Sequence, residues 1–128
     1  MSATAIFNRE GTMHELSILV EVVRIVEEQA VRLNVDSVKA IVLQVGELSS
    51  VVPEFMEEYF PNVVDGNPMF IDTVLKIETI PGIARCKECR KAFNVVEYRG
   101  YCPKCGSFDK EMLCGQEFFI KEILVPEV

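Results

Sequence analysis

Two closely spaced pairs of cysteines constrain this 128-residue chain more than any other feature of its sequence. Cys86 and Cys89 form the first pair, and Cys102 and Cys105 form the second after twelve intervening residues. A two-residue spacing lets both sulfur atoms of a pair bind one ion, with Zn–S bonds of about 2.3 Å in tetrahedral geometry. The spacing therefore predicts a structural zinc ribbon of short β-strands, inserted as residues 83–113.

The length of the insert also favours a metal. A segment of about 30 residues cannot bury enough apolar surface to fold unaided, and metal binding can supply the missing folding energy. Two disulfides, a metal-free thiol cluster and a rubredoxin-type iron centre remain open alternatives. Four cysteine ligands close the coordination sphere, which argues against hydrolysis at this zinc and against an enzyme.

The remaining residues of the insert carry two smaller expectations. We expect the ribbon core to be built by four aromatic residues, namely Phe93, Tyr98, Tyr101 and Phe108. Gly106, after the second pair, can take the positive φ that brings backbone amides close to the sulfur atoms. Cys114 lies outside both pairs and is expected to be a small buried apolar residue.

Charge and composition restrict the partners. Apolar residues make up 49% of the chain, which predicts a real core, and the net charge is −7. Residues 84–113 carry seven basic and four acidic residues, so the ribbon is at +3 and the remainder at −10. This balance argues against a nucleic acid or an anionic membrane as the main partner. The odd number of cysteines fits a reducing compartment, and with no secretory segment visible we expect a cytoplasmic protein.

Apolar periodicity predicts an α+β fold with two helices and a small sheet of about three strands. Apolar residues at intervals of three and four predict a first helix of about five turns from His14, with Leu16, Leu19, Val20, Val23, Val26, Ala30 and Leu33 on its apolar face. Pro53 should begin a second helix, which Pro61 should end or kink. The strands are expected at residues 37–45, 74–80 and 116–125, the first of them central because both its faces are apolar.

His14, the only histidine, stands in the run Met13-His14-Glu15 near the start of the first helix. If Met13 carried a free amine, that amine, the imidazole and two successive peptide nitrogens could close on one ion in the square plane that Ni(II) favours. The competing interpretation is a capping box, in which Thr12 and Glu15 satisfy free amides at the helix start and His14 is an ordinary first-turn residue.

Taken together, several motifs make the chain similar to the HypA/HybF family, the nickel metallochaperones of hydrogenase maturation. The resemblance covers roughly residues 13–125, in order and without large gaps. The motifs that carry it are Met13-His14-Glu15-Leu16-Ser17, Gly46-Glu47-Leu48, Pro53-Glu54, the two cysteine pairs with Gly106, and Gly115-Gln116-Glu117.

The resemblance implies a non-enzymatic carrier with two metals. Nickel, the cargo, would fall on Met13, His14 and Glu15, with Glu15 contributing its peptide nitrogen, and structural zinc on the four paired cysteines. The implied partners are a nickel-loading GTPase and the large subunit of nickel-iron hydrogenase, and a homodimer stays open. Family members begin at the methionine of the motif, whereas here twelve residues precede Met13 and make its amine a peptide nitrogen.

These inferences divide the chain into three parts. Residues 1–12 are expected to be a flexible extension, residues 13–82 and 114–128 a nickel-binding α+β domain, and residues 83–113 the zinc-ribbon domain. The alternative function is a zinc-ribbon adaptor that binds a protein or a nucleic acid and carries no nickel. The same cysteines are compatible with both functions.

Overall fold

The structure is a computed structural model that describes the backbone of residues 3–127 and the side chains of residues 14–127. It contains two α-helices, a short 3-10 helix at Pro68–Phe70, and two three-stranded sheets. The helices are α1 (Ala3–Arg32) and α2 (Pro53–Val63). The strands are β1 (Ala40–Gly46), β2 (Val74–Ile80), β3 (Ile83–Cys86), β4 (Ala92–Asn94), β5 (Lys110–Cys114) and β6 (Phe118–Leu124). The predicted α+β fold, with its inserted ribbon of short strands, is confirmed.

Helix α1 buries an apolar face made of Leu19, Val23, Val26 and Ala30, as the intervals of three and four predict. Val20 and Leu33 were also expected on this face, but they are 54% and 69% exposed. Val20 follows Leu19 by one position, so it is turned about 100° away on a helix of 3.6 residues per turn. Val22, which was not expected there, lies on the buried face instead.

The C-terminus of α1 explains why Leu33 is exposed. Asn34 takes a left-handed backbone with φ 58. Its amide donates to the Val31 carbonyl at 3.1 Å, and the Val35 amide donates to the Ala30 carbonyl at 2.8 Å. This pair of bonds is a Schellman motif, which satisfies carbonyls that the helix end would leave free. Leu33 is therefore a capping position, one residue beyond the helix.

The N-terminus of α1 differs from the prediction. The helix begins at Ala3 and runs without a break through Thr12 and His14. Thr12 is therefore not an N-cap, and the capping-box interpretation is wrong. Residues 3–12 lack an amphipathic pattern, but they contain no proline, and extending an existing helix by one residue costs far less than nucleating one. Residues 1 and 2, which complete the expected extension, lie outside the described part of the chain.

Strand β1 is the centre of the first sheet, which has the order β2-β1-β6. Six of its seven residues are buried, so both of its faces are covered, as the sequence predicts. Strand β2 has the predicted bounds, and β6 begins two residues after the predicted start. Strand β1 begins at Ala40 rather than residue 37, because the backbone of Val38 bonds outside the sheet: its amide donates to the Met69 carbonyl at 2.9 Å, and its carbonyl accepts from the Thr73 hydroxyl at 2.6 Å.

Helix α2 starts at Pro53, where the missing N–H costs nothing, and buries Met56 and Phe60. Pro61 was expected to end or kink this helix. The helix does not end at Pro61 but two residues later, at Val63, and it closes with a bond from the Val64 amide to the Phe60 carbonyl at 3.2 Å. Pro61 removes one donor only, and with two residues left the helix needs few further bonds.

The described chain divides into two compact units. The first comprises residues up to 43, 51–77 and from 120 on, and in it α1 packs against α2. The second comprises residues 44–50 and 78–119 and includes the ribbon sheet, with antiparallel order β4-β3-β5 and a bulge between Ile83 and Ala84. No helix in the described part of the chain is long and apolar enough to cross a membrane.

Candidate metal centre

The first cysteine pair sits on a tight turn at the end of β3. The amide of Arg90 donates to the Cys86 carbonyl at 3.0 Å, and the Cys86 amide donates to the Lys91 carbonyl at 2.9 Å. Arg90 has φ 69, in the left-handed region. For a residue with a side chain this backbone costs about 1–2 kcal/mol. The turn places Cys89 beside Cys86.

The second pair lies on a turn with the same hydrogen bonds, in which Gly106 takes the position that Arg90 has in the first turn. The Gly106 amide donates to the Cys102 carbonyl at 2.8 Å, and the Cys102 amide donates to the Ser107 carbonyl at 2.9 Å. Gly106 takes φ 77, so the expected positive φ is confirmed, here without the steric cost that Arg90 bears. The two pairs therefore present their sulfur atoms from matching backbone turns.

The four sulfur atoms converge on one point. The Sγ atoms of Cys86 and Cys105 are 3.5 Å apart, as are those of Cys89 and Cys102, and all four lie within 4.8 Å of one another. A tetrahedron with Zn–S bonds of about 2.3 Å has sulfur–sulfur edges of about 3.8 Å. The observed distances bracket this value, so the donor set fits one tetrahedral zinc ion. Among the described residues this is the only group of three or more potential metal ligands.

Backbone amides favour the thiolate form at the first cysteine of each pair. Burial raises the pKa of Cys102, but hydrogen bonds from the amides of Cys105 and Lys104 outweigh it and lower that pKa to about 6. The amide of Cys89 is the main cause that lowers the pKa of Cys86. Thiolate is the form that binds metal, so these two residues are prepared for ligation.

Cys105 behaves in the opposite way. The amide of Ser107 lowers its pKa, but the neighbouring sulfur of Cys86, partial desolvation of the thiol, and the sulfurs of Cys89 and Cys102 together raise it to about 12. Like charges confined to one site disfavour a further ionisation. A divalent cation removes this conflict, since it allows all four sulfur atoms to carry negative charge. The electrostatics of the cluster thus favour a bound cation.

Four thiolates on one divalent ion would carry a net charge of −2, and four basic residues adjoin the cysteines in the sequence. The Lys104 amide donates to the Cys102 sulfur at 3.4 Å. Lys87 forms an ion pair with Asp109 at 3.9 Å, which partly neutralises its positive charge. Arg90 and Lys91 are exposed. Most of the local compensation therefore comes from backbone amides and solvated side chains.

The ribbon core is smaller and less aromatic than expected. Its buried residues are Ala84, Cys86, Phe93, Val95 and Cys102, with Cys89 and Met112 packed against them. Of the four aromatic residues only Phe93 is buried, whereas Tyr98, Tyr101 and Phe108 are 41%, 55% and 58% exposed. Two of the four paired cysteines belong to this buried core and a third packs against it, so sulfur atoms take the place of larger apolar side chains there. The expectation for the other three aromatics was wrong.

The residues that the sequence predicts to bind nickel lie on α1. His14 is exposed, whereas Glu15 is buried at 1% exposure. Because α1 begins at Ala3, helix geometry engages the amides of Met13, His14 and Glu15 with carbonyls four residues earlier. The side chain of Met13 lies outside the described side chains. Amide coordination of nickel would therefore require the turn preceding His14 to open.

The Glu15 carboxylate has a structural role that the sequence pattern did not predict. Its Oε2 accepts a hydrogen bond from the amide of Val52 at 2.9 Å, 37 positions along the chain. Val52 is the N-cap residue of α2 and has no side-chain cap of its own. The one available signal was a glutamate at a position that continues the apolar face, four residues before Leu19.

Two further glutamates, from the motifs Gly46-Glu47-Leu48 and Gly115-Gln116-Glu117, accept hydrogen bonds from backbone amides. Glu47 Oε1 accepts from the Gly82 amide at 2.9 Å and from the Asn94 side chain at 3.3 Å. Glu117 Oε1 accepts from the Gly115 amide. Gly46, Gly82 and Gly115 pack so closely that a Cβ on Gly46 would lie 2.2 Å from the Gly115 carbonyl oxygen. These motifs therefore fix the segments that lead into and out of the ribbon.

Cys114 is half-buried rather than fully buried, and its sulfur donates to the Pro81 carbonyl at 3.4 Å. It does not belong to the four-sulfur group. The thiol ends β5 directly before Gly115. Its contacts are those of a structural residue.

Comparison with known proteins identifies relatives over nearly the whole chain. A family model described as "Hydrogenase/urease nickel incorporation, metallochaperone, hypA" matches residues 13–125. The hydrogenase maturation factor HypA of Moorella thermoacetica is 37% identical over 108 residues, covering 84% of this chain and 95% of that protein. HypA of Geobacter sulfurreducens is also 37% identical, over 113 residues, covering 88% of this chain and 99% of the relative.

Solved structures agree on the fold. The solution structure of the Ni metallochaperone HypA from Helicobacter pylori is similar with a TM-score of 0.59 at 22% identity, covering 87% of this chain and 96% of that one. A second solution structure of a HypA protein gives a TM-score of 0.64 at 24% identity, covering 89% and 97%. At these identities the likeness establishes the fold alone.

Proposed function

The chain belongs to the HypA family of nickel-incorporation metallochaperones, and from that premise we propose that it carries nickel on Met13, His14 and Glu15. The observation that carries the proposal is the family match itself, which begins at Met13 and so includes the Met-His-Glu run. In this role the protein is a carrier rather than an enzyme. It holds the ion and releases it to an acceptor.

The chemistry of the nickel site needs four nitrogen donors. The amine of Met13, the imidazole of His14 and the peptide nitrogens of His14 and Glu15 can surround Ni(II) in a square plane. The exposed position of His14 gives an incoming ion access to the imidazole. Protonation of the imidazole competes with the metal, so acidification favours release of the cargo.

The residue at which α1 starts decides which form of the chain can bind nickel. With residues 3–12 in the helix, the amides of His14 and Glu15 already donate to helix carbonyls. When a helix starts at Met13, these amides are among the first four, which have no intrahelical acceptor, and coordination then breaks no hydrogen bond. We therefore infer that the nickel-competent form has a free amine at Met13.

The four paired cysteines hold structural zinc in the same proposal. The sulfur–sulfur distances and the lowered pKa of Cys102 support it. Zinc there supplies folding energy to the ribbon of residues 83–113, which we propose as a domain separate from the nickel-binding domain of residues 13–82 and 114–128.

The proposed partners follow from hydrogenase maturation. A nickel-loading GTPase and the large subunit of nickel-iron hydrogenase are the expected ones, and the description of the family model adds urease as an acceptor class. Neither a nucleic acid nor a membrane is proposed as a partner, because the chain has a net charge of −7. Five free cysteines favour the reducing cytoplasm as the place of action. A homodimer is compatible with this function.

Nickel titration of four chains tests the proposal. The chains are residues 1–128, residues 13–128, residues 13–128 with an acetylated Met13 amine, and residues 13–128 with His14→Ala. We expect the unmodified 13–128 chain to bind one Ni(II) with the absorption of a square-planar complex. The other three chains should bind at least about tenfold more weakly, because each lacks one of the four donors or holds it inside a helix.

Two outcomes would contradict the proposal. If His14→Ala binds nickel as tightly as its parent, the imidazole is not a ligand. If none of the chains binds nickel while zinc stays near one ion per chain, the protein is the zinc-ribbon adaptor of the alternative function. Elemental analysis of each chain supplies the zinc content.

A further inference from the structure

Glu15 is the only charged residue that is buried among the described side chains. Its Oε2 accepts the Val52 amide at 2.9 Å. Its Oε1 is enclosed and has no hydrogen-bond partner in the described part of the structure. Burying a carboxylate with one unsatisfied oxygen costs free energy. We therefore look for a role of the Glu15 side chain that offsets this cost.

What the carboxylate contacts is the start of α2. Val52 precedes the first residue of that helix, Pro53 has no N–H, and no side chain of α2 caps the helix. The N-terminus of a helix carries a positive partial charge that favours a carboxylate beside it. Glu15 thus supplies, from α1, the cap that α2 lacks.

The same residue takes part in the proposed nickel site, so a role of its side chain in nickel binding rests on the proposed function. The peptide nitrogen of Glu15 is a nickel donor in that site, and a single Cα separates this nitrogen from the side chain held at Val52. Coordination fixes the backbone of residues 13–15 in one geometry. The anchored side chain already restricts the same backbone.

We propose that the Glu15 carboxylate links nickel binding to the N-terminus of α2. The carboxylate is a positioning group rather than a ligand: it holds the turn that carries the nickel donors, and nickel in turn tightens the hydrogen bond to Val52. Such a linkage is reciprocal, so the factor by which the anchor strengthens nickel binding equals the factor by which nickel strengthens the anchor. The N-terminus of α2 is thereby more ordered when nickel is bound, and a partner that contacts it can distinguish the loaded protein from the empty one.

Amide hydrogen exchange at Val52 tests the linkage in the 13–128 chain, with and without saturating Ni(II). We expect nickel to slow the exchange of this amide by about tenfold, within the usual range of such linkages. Glu15→Ala should abolish the response and weaken nickel binding by the same factor, although its peptide nitrogen is intact. Glu15→Gln keeps an oxygen that can accept from Val52 and should preserve most of both effects.

Two variants separate the linkage from general destabilisation. Val52→Pro removes the donor amide while Glu15 stays in place, and it should weaken nickel binding as Glu15→Ala does. Glu27→Gln is the matched control on the same helix, since Glu27 also reaches another segment by accepting from Asn67 at 2.8 Å. It lies three turns from the nickel residues and should leave nickel affinity unchanged.

The outcomes distinguish this inference from the proposed function. Nickel binding by the 13–128 chain with unaltered exchange at Val52 overturns the linkage and leaves the carrier function standing. Nickel affinity that is the same in the parent and Val52→Pro chains does so as well. Failure of the 13–128 chain to bind nickel overturns both. If Glu15→Ala does not fold, Glu15→Gln and Val52→Pro decide the matter.

Discussion

At Gly46 the backbone of another segment occupies the space that a side chain would need. A Cβ there would lie 2.2 Å from the carbonyl oxygen and 2.4 Å from the carbonyl carbon of Gly115. We expect Gly46→Ala to lower the free energy of unfolding by about 3 kcal/mol, because main-chain atoms must move apart. Urea denaturation of the zinc-loaded protein measures the loss.

Gly66 provides the comparison for Gly46. It has φ 77, and nothing lies within 4 Å of the position that a Cβ would take, so Gly66→Ala adds backbone strain but no clash. Its expected cost is about 1 kcal/mol. If both substitutions lowered the free energy of unfolding by the same amount, the close packing at Gly46 would not contribute to stability.

Glu117 makes stability depend on pH at the exit of the ribbon. The backbone amides of Glu117 itself and of Gly115 lower the pKa of this carboxyl below its usual value of 4.5. A pKa that is lower in the folded state gives stability that is complete above the unfolded-state pKa and is lost as pH falls through the folded one. Glu117→Gln should therefore destabilise the protein at pH 7, and the difference from the parent should shrink below about pH 4.5.

Unfolding of both proteins across this pH range checks the expectation. Zinc release at low pH affects the parent and the variant alike, so the difference between them isolates the carboxylate. A difference that stays constant with pH would contradict the role of the charge.

At the scale of elements, the ribbon core depends on one aromatic residue. Phe93 is 4% exposed in strand β4, whereas Tyr101 is 55% exposed and packs beside Phe108 with ring centroids 5.0 Å apart. We expect Phe93→Ala to cost about 3–5 kcal/mol and Tyr101→Ala within about 0.5 kcal/mol. Thermal denaturation of both variants measures this contrast, and a larger loss for Tyr101→Ala would refute the burial argument.

Zinc should hold the strands of the ribbon together. Cys86 and Cys102 belong to the buried core as well as to the metal site, so loss of the ion removes both ligation and packing. Structural zinc contributes about 10–16 kcal/mol of apparent binding free energy in small domains. We expect Cys102→Ser, or chelation of the parent protein, to remove zinc and abolish amide protection in β3, β4 and β5.

Cys114→Ser is the matched control for this prediction. Cys114 belongs to the same unit of the chain but lies outside the four-sulfur group. Its replacement should leave the zinc content near one ion per chain and the strands protected. Retention of protection in zinc-free Cys102→Ser would show that the ribbon folds without metal.

For the molecule as a whole, the sequence predicted what depends on neighbouring residues. The convergence of four sulfur atoms in the ribbon follows from two short spacings, and the central position of β1 follows from apolar residues on both faces of one segment. Each of these features is determined within a few positions of the chain.

Features that depend on distant residues were not predictable in the same way. The partner of the Glu15 carboxylate is an amide 37 positions away, and no local pattern relates the two. The exposure of Tyr101 and Phe108 depends on how much of the small core the sulfur atoms fill. The predicted start of α1 is too late because amphipathic spacing reports burial rather than helicity, and residues 3–12 are helical without that spacing.

The exposure of the four cysteines bears on how long the proposed zinc stays bound. Cys86 and Cys102 are buried and Cys89 is half-buried, but Cys105 is exposed, so the cluster opens to water on a single side. A chelator that removes the proposed zinc must approach from that side, so we expect the bond to Cys105 to break first during exchange. We expect Cys105→Ser to accelerate zinc transfer to a chromophoric chelator more than Cys86→Ser does for each ion initially bound, and the opposite order would place the entry route elsewhere.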